Sequence, residues 1–600
     1  MTTTDTWQSH HLFLHSTAED ADAFLLEAAA PLLDGLVAAG EADRWFFIRY
    51  GEDGPHLRIR VHGADPAAAV RLPEELARAA KEVPAVPGPW PSAHGEVRSV
   101  PYVPETDRYG GPLALPVAED VFAASTGVVV EALREVRDGG AATRLTIAAD
   151  LAHATAYGLG MDELAAARWL RGHAAGWRWV TEVPLLPGAS IHARVNSVYA
   201  AQRSTLGRRA ADLRRRLADG TAAPWLLRWT DRVREADATL RADGEPGASY
   251  AWVWASQLHM LFNRLGVTPD EERAVCRLVA RTLLETTGSG SAGPGTTDPG
   301  TTDPGTTDSG SAGSGSAGSG SAEAPADYFP ASHTAPDFRY LERSKFQIGR
   351  GEDTALRPSA PLSPASASGR SGWGSAGPEI ALPTGPLPEV SLREVLAGRS
   401  SLRGALTGPL DADTLGALLW HSLAESGRSE QHLADGSTRS LVHRPHPSAG
   451  ALYTARVRLL VLDTAGVPAG TWECVPRSRT LRRVGPVPPV EAIKALSTYL
   501  SRPATDPDWI GIDDAPVVLA VYADLGVLRR RYGLRALRLA LLETGHLTQT
   551  LLLTATALGL AGTPLGGFHD DLAHELLGLD DLEQPLQYLL PLGRRPGATP

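Results

Sequence analysis

The stretch HLRIRVHG (residues 56–63) sets Leu57, Ile59 and Val61 in strict alternation with His56, Arg58, Arg60 and His62. A two-residue repeat belongs to a β-strand, whose side chains point to opposite faces. One face is apolar and belongs to a core. The other carries like charges about 6.7 Å apart, which repel one another unless something negative lies over them. Immediately upstream, WFFIRY (45–50) has strand composition, and GEDGP (51–55) supplies turn residues, so the two runs are expected to form a hairpin. Alternation alone leaves open a solvated face on an edge strand.

Outward from the hairpin, 600 residues with 43% apolar content exceed what one core holds, and two to four domains are expected. The net charge of −12 argues against a general nucleic-acid or anionic-membrane binder, so any anionic ligand is held locally. Two cysteines, Cys276 and Cys474, support neither a disulfide framework nor a thiolate zinc site, and a reducing cytoplasm fits them. The N-terminus has no signal-peptide pattern, and no run of about eighteen apolar residues occurs, so a membrane span is not expected.

Residues 288–322 consist almost entirely of Gly, Ser, Ala, Thr, Asp and Pro, with PGTTD repeated three times from Pro294 to Asp308. Such a segment cannot bury a core and behaves as a coil spanning about 30 to 35 Å. It divides the chain into two bodies on a leash: 1–287, a linker 288–325, and 326–600. GSGSAG (288–293) satisfies the dinucleotide-binding spacing, but with no strand before it and no helix after it the match is false. A second irregular stretch runs from Arg357 to Gly377. Both bodies mix strands and helices, and the expected fold class is α+β, two domains. In the first, LFLH (12–15) reads as a further strand and 119–137 as a helix, with Val121, Ser125, Val128, Val129, Ala132, Leu133 and Val136 on one face. In the second, Leu534 to Leu560 reads as a central buried helix.

Three stretches of the first body, WFFIRYGEDGPHLRIRVHG (45–63), YVPETDRYGGP (102–112) and SQLHMLFNRLG (256–266), together resemble the elimination domain of lantibiotic dehydratases, also found alone in thiopeptide pathways. The resemblance implies a precursor peptide whose Ser or Thr hydroxyl is esterified by the α-carboxyl of glutamate. Loss of glutamate then leaves dehydroalanine or dehydrobutyrine. That chemistry accounts for the basic strand, because negative charge accumulates on the enolate and on the departing glutamate, and preorganised guanidinium groups hold it. Arg58, Arg60 and Arg108 match the motif arginines, and Glu105 is expected to orient Arg108. Arginine stays protonated, so His259 is the proton carrier. Asn263 and Arg264, one turn further along that helix, are read as supporting residues, and His56 and His62 as flanking ones. RRAADLRRR (208–216) reads as a solvated helix face. A rival reading keeps the fold and changes the reaction: relatives in thiopeptide pathways close two dehydroalanines into a pyridine by a formal 4+2 reaction. The joint presence of the arginines and the histidine favours elimination.

In the second body, GRSSLRG (398–404), HRPHPSAGALY (443–453), the long helix, TPLGGF (563–568) and LLPLGRR (589–595) occur in the order of the nitroreductase superfamily and resemble its azoline dehydrogenase branch. The implied cofactor is FMN and the implied assembly a homodimer through this domain. Arg399, Ser400, Ser401 and Arg403, with Arg595, suit the doubly charged phosphate. Ser448, Ala449 and Gly450, and Gly566 and Gly567, are small enough to let backbone approach the ring. Where this branch carries a Lys-Tyr pair, the present chain has Arg531-Tyr532. Arginine cannot readily release a proton, so Tyr532 is assigned the base and Arg531 its electrostatic partner. Glu543, His546 and Gln549 are read as structural polar contacts. HDDLAHE (569–575) lacks a complete ligand set, and no metal is expected.

The two readings meet on one precursor peptide, and the arrangement resembles the bifunctional eliminase and azoline dehydrogenase of lactazole-type thiopeptide pathways. A tRNA-dependent glutamyl transferase, a cyclodehydratase and a separate pyridine synthase are the implied partners. Two alternatives of other classes remain open: a catalytically dead body serving as a peptide-docking scaffold, and a generic flavin nitroreductase.

Overall fold

The computed structural model describes residues 7–138, 143–177, 183–243, 250–286, 340–341, 344, 377–432 and 436–596. The linker 288–325, the boundaries at 287 and 326, GSGSAG and residues 357–376 lie outside the described residues.

The N-terminal domain is built on a four-stranded antiparallel sheet. Its strands are β1 (Trp7–Phe13), β2 (Arg44–Tyr50), β3 (His56–His62) and β4 (Val97–Val100), in the order β2-β3-β1-β4. The hairpin expected from the sequence is present, with Tyr50 opposite His56. The basic strand β3 is interior, not an edge, because it pairs with both β2 and β1. Leu57, Ile59 and Val61 are buried in the core. The LFLH strand begins earlier than expected and ends at Phe13.

Helices α1 (Ala18–Phe24) and α2 (Ala30–Ala38) precede β2, and α3 (Pro66–Ala80) follows β3 and packs on β1 and β4. The rest of this domain is helical: α4 (Leu115–Arg137), α5 (Arg144–Gly158), α6 (Glu163–Gly176), α7 (Gly188–Ala218), α8 (Pro224–Asp243), α9 (Ala251–Leu265) and α10 (Pro269–Thr286). The helix expected over 119–137 thus starts one turn earlier, and its predicted apolar face is buried at Val121, Val128, Val129, Ala132 and Leu133. Helices α4 and α9 contact β2 and cover the basic face, where Phe46 meets Phe122 at a ring distance of 5.2 Å. Apolar residues therefore enclose both sides of the sheet around the arginines.

The C-terminal domain carries a seven-stranded antiparallel sheet. After β5 (Glu379–Ala381) come α11 (Leu392–Gly398), β6 (Gly404–Thr407) and α12 (Ala412–Leu423). The hairpin β7 (Gly427–His432) and β8 (Thr438–His443) precedes β9 (Ala455–Val461), β10 (Gly470–Val475) and β11 (Thr480–Gly485). Next are α13 (Val490–Lys494), β12 (Ile510–Asp514), β13 (Val517–Ala523), α14 (Leu525–Tyr532), α15 (Ala536–Ala557), β14 (Ala561–Gly562), α16 (Asp570–Leu577) and β15 (Leu586–Gly593). The sheet order is β14-β15-β13-β9-β10-β11-β5, and β12 pairs with β6 in parallel. Helix α15 is the long apolar run expected from sequence, but it is not buried all round. Leu547 and Leu551 sit in the core, whereas Leu541 and Leu542 near its start are exposed.

The two domains are in contact. Glu575 of α16 is buried against the N-terminal domain, paired with His192 of α7 at 2.6 Å and with Arg277 of α10, and Arg273 lies at 3.5 Å. Arg168 pairs with Asp580 and Arg171 with Asp581 on the rim. A Cβ placed on Gly188 would stand 3.1 Å from the Leu572 side chain, so the chains meet closely there. Within HDDLAHE, Glu575 thus serves this contact and His574 the local fold, accepting from the backbone N–H of Leu586. No helix among the described residues is long and apolar enough to cross a membrane.

Candidate functional site

Between the basic face of the sheet and helices α6 and α9 lies a cleft of about 640 Å³. Arg58, Arg60, Glu105, Arg108 and His259 all line it, as do Asn263 and Arg264, whereas His56 and His62 do not.

The strand arginines are held from behind. His56 is buried, its Nδ1 donates to the carbonyl of Gly54 at 2.9 Å, and its Nε2 accepts from Nε of Arg58 at 3.1 Å. An arginine Nε can only donate, so this pair fixes the tautomer of His56. His56 therefore positions Arg58 and does more than flank it. The guanidinium of Arg58 stacks 3.5 Å from the centre of the Tyr50 ring and reaches Glu52, which is exposed, at 3.1 Å. His11 stacks on His56; burial and the Arg58 charge push its pKa down to about 4, leaving it neutral. Arg60 sits 4.6 Å from the Tyr102 ring centre and 5.4 Å from that of Phe46. Arg108 comes from a 3-10 turn, Thr106–Tyr109, that ends at Gly110 with φ 95°, where a side chain would be strained. Glu105 accepts from its Nη1 at 2.9 Å, the orienting contact expected from the three-residue spacing.

His259 is anchored by a residue that sequence reading missed. Glu272, on α10 and buried, accepts from Nδ1 of His259 at 2.9 Å, from Nε2 of His173 at 2.6 Å and from the Trp177 indole at 3.0 Å. Burial alone would raise its pKa, but the two imidazoles hold the carboxyl well below its usual range. A carboxylate only accepts, so Nδ1 of His259 carries a proton and Nε2 is the nitrogen left for proton transfer. In sequence, Glu272 lies in PDEER, which reads as the acidic first turn of a helix.

Asn263 borders the cleft, but its amide is spent on the backbone. Its amide clamps the outer edge of β2, with Oδ1 accepting from the Arg49 N–H at 2.8 Å and Nδ2 donating to the Arg49 carbonyl at 2.9 Å. Arg264, one residue on, lines the cleft and is fully buried.

In the C-terminal domain, a smaller cavity of about 230 Å³ lies between the end of α11, the C-terminal part of α15 and Arg595. Arg399, Ser400 and Arg595 line it, and Arg595 donates to the Ser400 hydroxyl at 2.6 Å. Two arginines and a hydroxyl on a small cavity floored by Gly559 and Gly562 suit a phosphate monoester. Ser401 and Arg403 do not line it: Arg403 turns outward to Asp508 at 3.4 Å, and Ser401 bridges Gly562 through backbone. Ser448 donates to Glu543 at 2.7 Å and accepts from the backbone N–H of Tyr453 at 2.8 Å, so its hydroxyl holds the turn. Glu543 also accepts from the Ala455 N–H at 2.8 Å, the structural role expected of it. Gly450 has φ 59°, and a Cβ there would stand 2.6 Å from the Tyr532 hydroxyl, so glycine is required for that approach. Arg531 lies 5.6 Å from the Tyr532 ring centre. Gly566 faces open space, whereas a Cβ on Gly567 would touch Tyr499.

This architecture is that of a two-domain α+β protein with a lantibiotic-dehydratase-like first half and a nitroreductase fold in the second. Residues 7–283 match the family model of the lantibiotic biosynthesis dehydratase C-terminal region, and residues 396–594 match that of the nitroreductase family. The chain is 31% identical over 217 residues to the nitroreductase-type protein MJ1384 of Methanocaldococcus jannaschii, covering 36% of this chain and 96% of that one. Through its second domain, the chain belongs to the nitroreductase family. It is also 32% identical over 143 residues to the microcin B17-processing protein McbC of Escherichia coli, covering 23% of this chain and only 50% of McbC. Among solved structures, the pyridine synthase TbtD of thiomuracin biosynthesis overlaps 47% of this chain and 99% of its own, at 25% identity and a TM-score of 0.36.

Proposed function

We propose that the protein modifies a ribosomally made precursor peptide at two centres, eliminating glutamate from glutamylated Ser or Thr in the first domain and oxidising thiazoline or oxazoline rings in the second. The single observation that carries the first reading is the convergence of Arg58, Arg60, Arg108 and the Glu272-held His259 on one cleft.

In the elimination, Nε2 of His259 takes the Cα proton of the esterified residue. The electron pair of that C–H bond forms the Cα–Cβ double bond, the Cβ–O bond breaks, and glutamate leaves with its α-carboxylate. Charge passing through the neighbouring amide oxygen and collecting on the leaving carboxylate meets guanidinium groups already in place, which need no reorganisation. Partial burial of Arg58 and Arg60 strengthens those contacts. Exposed Glu52 is the carboxylate, among the described residues, that an incoming anion must displace from Arg58.

In the second domain, Arg399, Ser400 and Arg595 would hold the phosphate of FMN. Bound there, the flavin supplies a hydride acceptor. Tyr532 takes the ring proton, with Arg531 beside its ring. Ring oxidation by the second domain is supported by family membership together with the partial similarity to McbC. The exposed leucines of α15 suit pairing with a second copy. A glutamyl transferase using glutamyl-tRNA, a cyclodehydratase and a pyridine synthase would act on the same peptide.

The test is mass spectrometry of a peptide bearing both glutamyl esters and azolines, incubated with this protein and FMN. Loss of glutamate and loss of two hydrogens per ring are separate readouts. Formation of a pyridine from a peptide with two dehydroalanines, without glutamate release, would replace the elimination reading.

A further inference from the structure

Arg264 is the most deeply buried cation of the cleft, with no exposed surface. All three of its guanidinium nitrogens, and Nε of Arg60, lack a hydrogen-bond partner among the described residues. Its surroundings are aromatic: the guanidinium lies 5.1 Å from the Phe122 ring centre and 5.6 Å from that of Phe46, whose ring also faces Arg60 at 5.4 Å. Ring faces attract a cation but accept few of its five N–H bonds. The nearby phenols give no counter-charge, since burial pushes the pKa of Tyr109 up to about 12 and that of Tyr102 higher still. Glu105, whose field reaches Arg60, is committed to Arg108 at 2.9 Å. Burial and the Arg60 charge bring Arg264 down to about 9, so it remains charged at neutral pH.

Two like charges in an apolar recess, with donors unspent, are unfavourable unless an anion joins them. We infer that Arg264 and Arg60 form a carboxylate subsite at the inner end of the cleft, and that it takes the side-chain carboxylate of the departing glutamate. This assignment rests on the elimination reading. It divides the labour: Arg264 recognises the end of the leaving group, while Arg58 and Arg108 remain for charge developing near the bond that breaks. It also makes the recess selective for an acidic acyl group over a neutral isostere, because the neutral one leaves both cations unpaired.

The full-length protein is titrated with glutarate and, separately, with neutral glutaramide by calorimetry, alongside Arg264→Met and Arg264→Gln, and each protein is melted without ligand. Expected are binding of glutarate but not glutaramide by the wild type, about tenfold or greater weakening in Arg264→Met, and a melting temperature for Arg264→Met at or above that of the wild type. If the methionine variant is not recovered folded, the same weakening is expected of the glutamine variant. Unchanged glutarate affinity in the folded variant, or equal binding of glutaramide, overturns the subsite. Glutamate release from a glutamylated peptide by a protein that binds no glutarate removes the subsite and leaves elimination standing. Arg264-dependent glutarate binding without any glutamate release removes the leaving-group assignment.

Discussion

Glu272 accepts from Nδ1 of His259 at 2.9 Å while its second oxygen holds His173 at 2.6 Å, so one buried carboxylate orients two histidines on the cleft. An amide has only one accepting oxygen and cannot serve both rings. Glu272→Gln is expected to slow glutamate release on the order of 10²- to 10⁴-fold, as loss of an orienting carboxylate does in general-base catalysis. Combining it with His259→Ala should add little beyond the single histidine variant, because the two act as a unit. Rates of glutamate release by mass spectrometry, with circular dichroism to check folding, decide it. Fully additive losses would separate Glu272 from the function of His259.

Arg60→Lys keeps the charge but loses the planar fork. Its expected cost is about tenfold or more in kcat/KM for elimination, the scale of losing one charge-assisted hydrogen bond to the side-chain carboxylate of the leaving group. Azoline oxidation by the same preparation serves as the internal control and should be unchanged. An active Arg60→Lys enzyme would show that simple positive charge suffices.

The Asn263 side chain terminates the sheet. Strand β2 is an edge, and the outward N–H and C=O of Arg49 are paired by this amide. Asn263→Ala leaves both without a partner, and a destabilisation of about 1–3 kcal/mol is expected in urea unfolding. A neutral substitution would contradict the clamp.

Docking of the domains should fail in acid. Burial opposes ionisation of Glu575, yet Arg277, His192 and Arg273 bring its pKa down to about 2. A carboxyl depressed in the folded state contributes stability above its unfolded pKa near 4.5 and loses that contribution as pH falls toward about 2. The contribution is on the order of 3 kcal/mol. Calorimetry is expected to show the domain transitions moving apart as pH falls through this window, and Glu575→Ala to separate them already at neutral pH. Identical traces for wild type and variant would remove Glu575 from the interface.

Flavin retention is expected to depend on the Arg595–Ser400 contact, which lines the proposed phosphate site. Arg595→Ala is expected to weaken FMN about tenfold or more, the scale of one charge-assisted hydrogen bond, as read from flavin fluorescence on titration. Arg403→Ala should bind FMN like the wild type, since Arg403 faces Asp508 and not the cavity.

Local pattern carried much of this organisation. Alternation at 56–62 and apolar spacing over 119–137 were legible because strands and helices impose periods of two and about 3.6 residues on whatever they bury. The site was legible where residues lie within a motif, as with Arg58, Arg60, Glu105 and Arg108. It was not legible for Glu272 or His173, because each reads locally as an ordinary helix residue and their meeting depends on α6, α9 and α10 packing together. The cluster at 399–403 shows the reverse error. Four polar side chains adjacent in sequence point in different directions, so only Arg399 and Ser400 reach the cavity.

By itself the sequence determined that there are two α+β domains, which faces of their elements are apolar, and that arginines alternate along one strand, since these follow from short-range periodicity and composition. Only the tertiary structure decided that the strand is interior, that Glu272 and Glu575 are the buried carboxylates on which histidines and arginines converge, and that Arg264 has no carboxylate partner among the described residues. Those outcomes depend on which charges burial brings within a few ångströms of one another across the chain, and electrostatic pairing in a desolvated recess is set by that distance and not by order along the backbone.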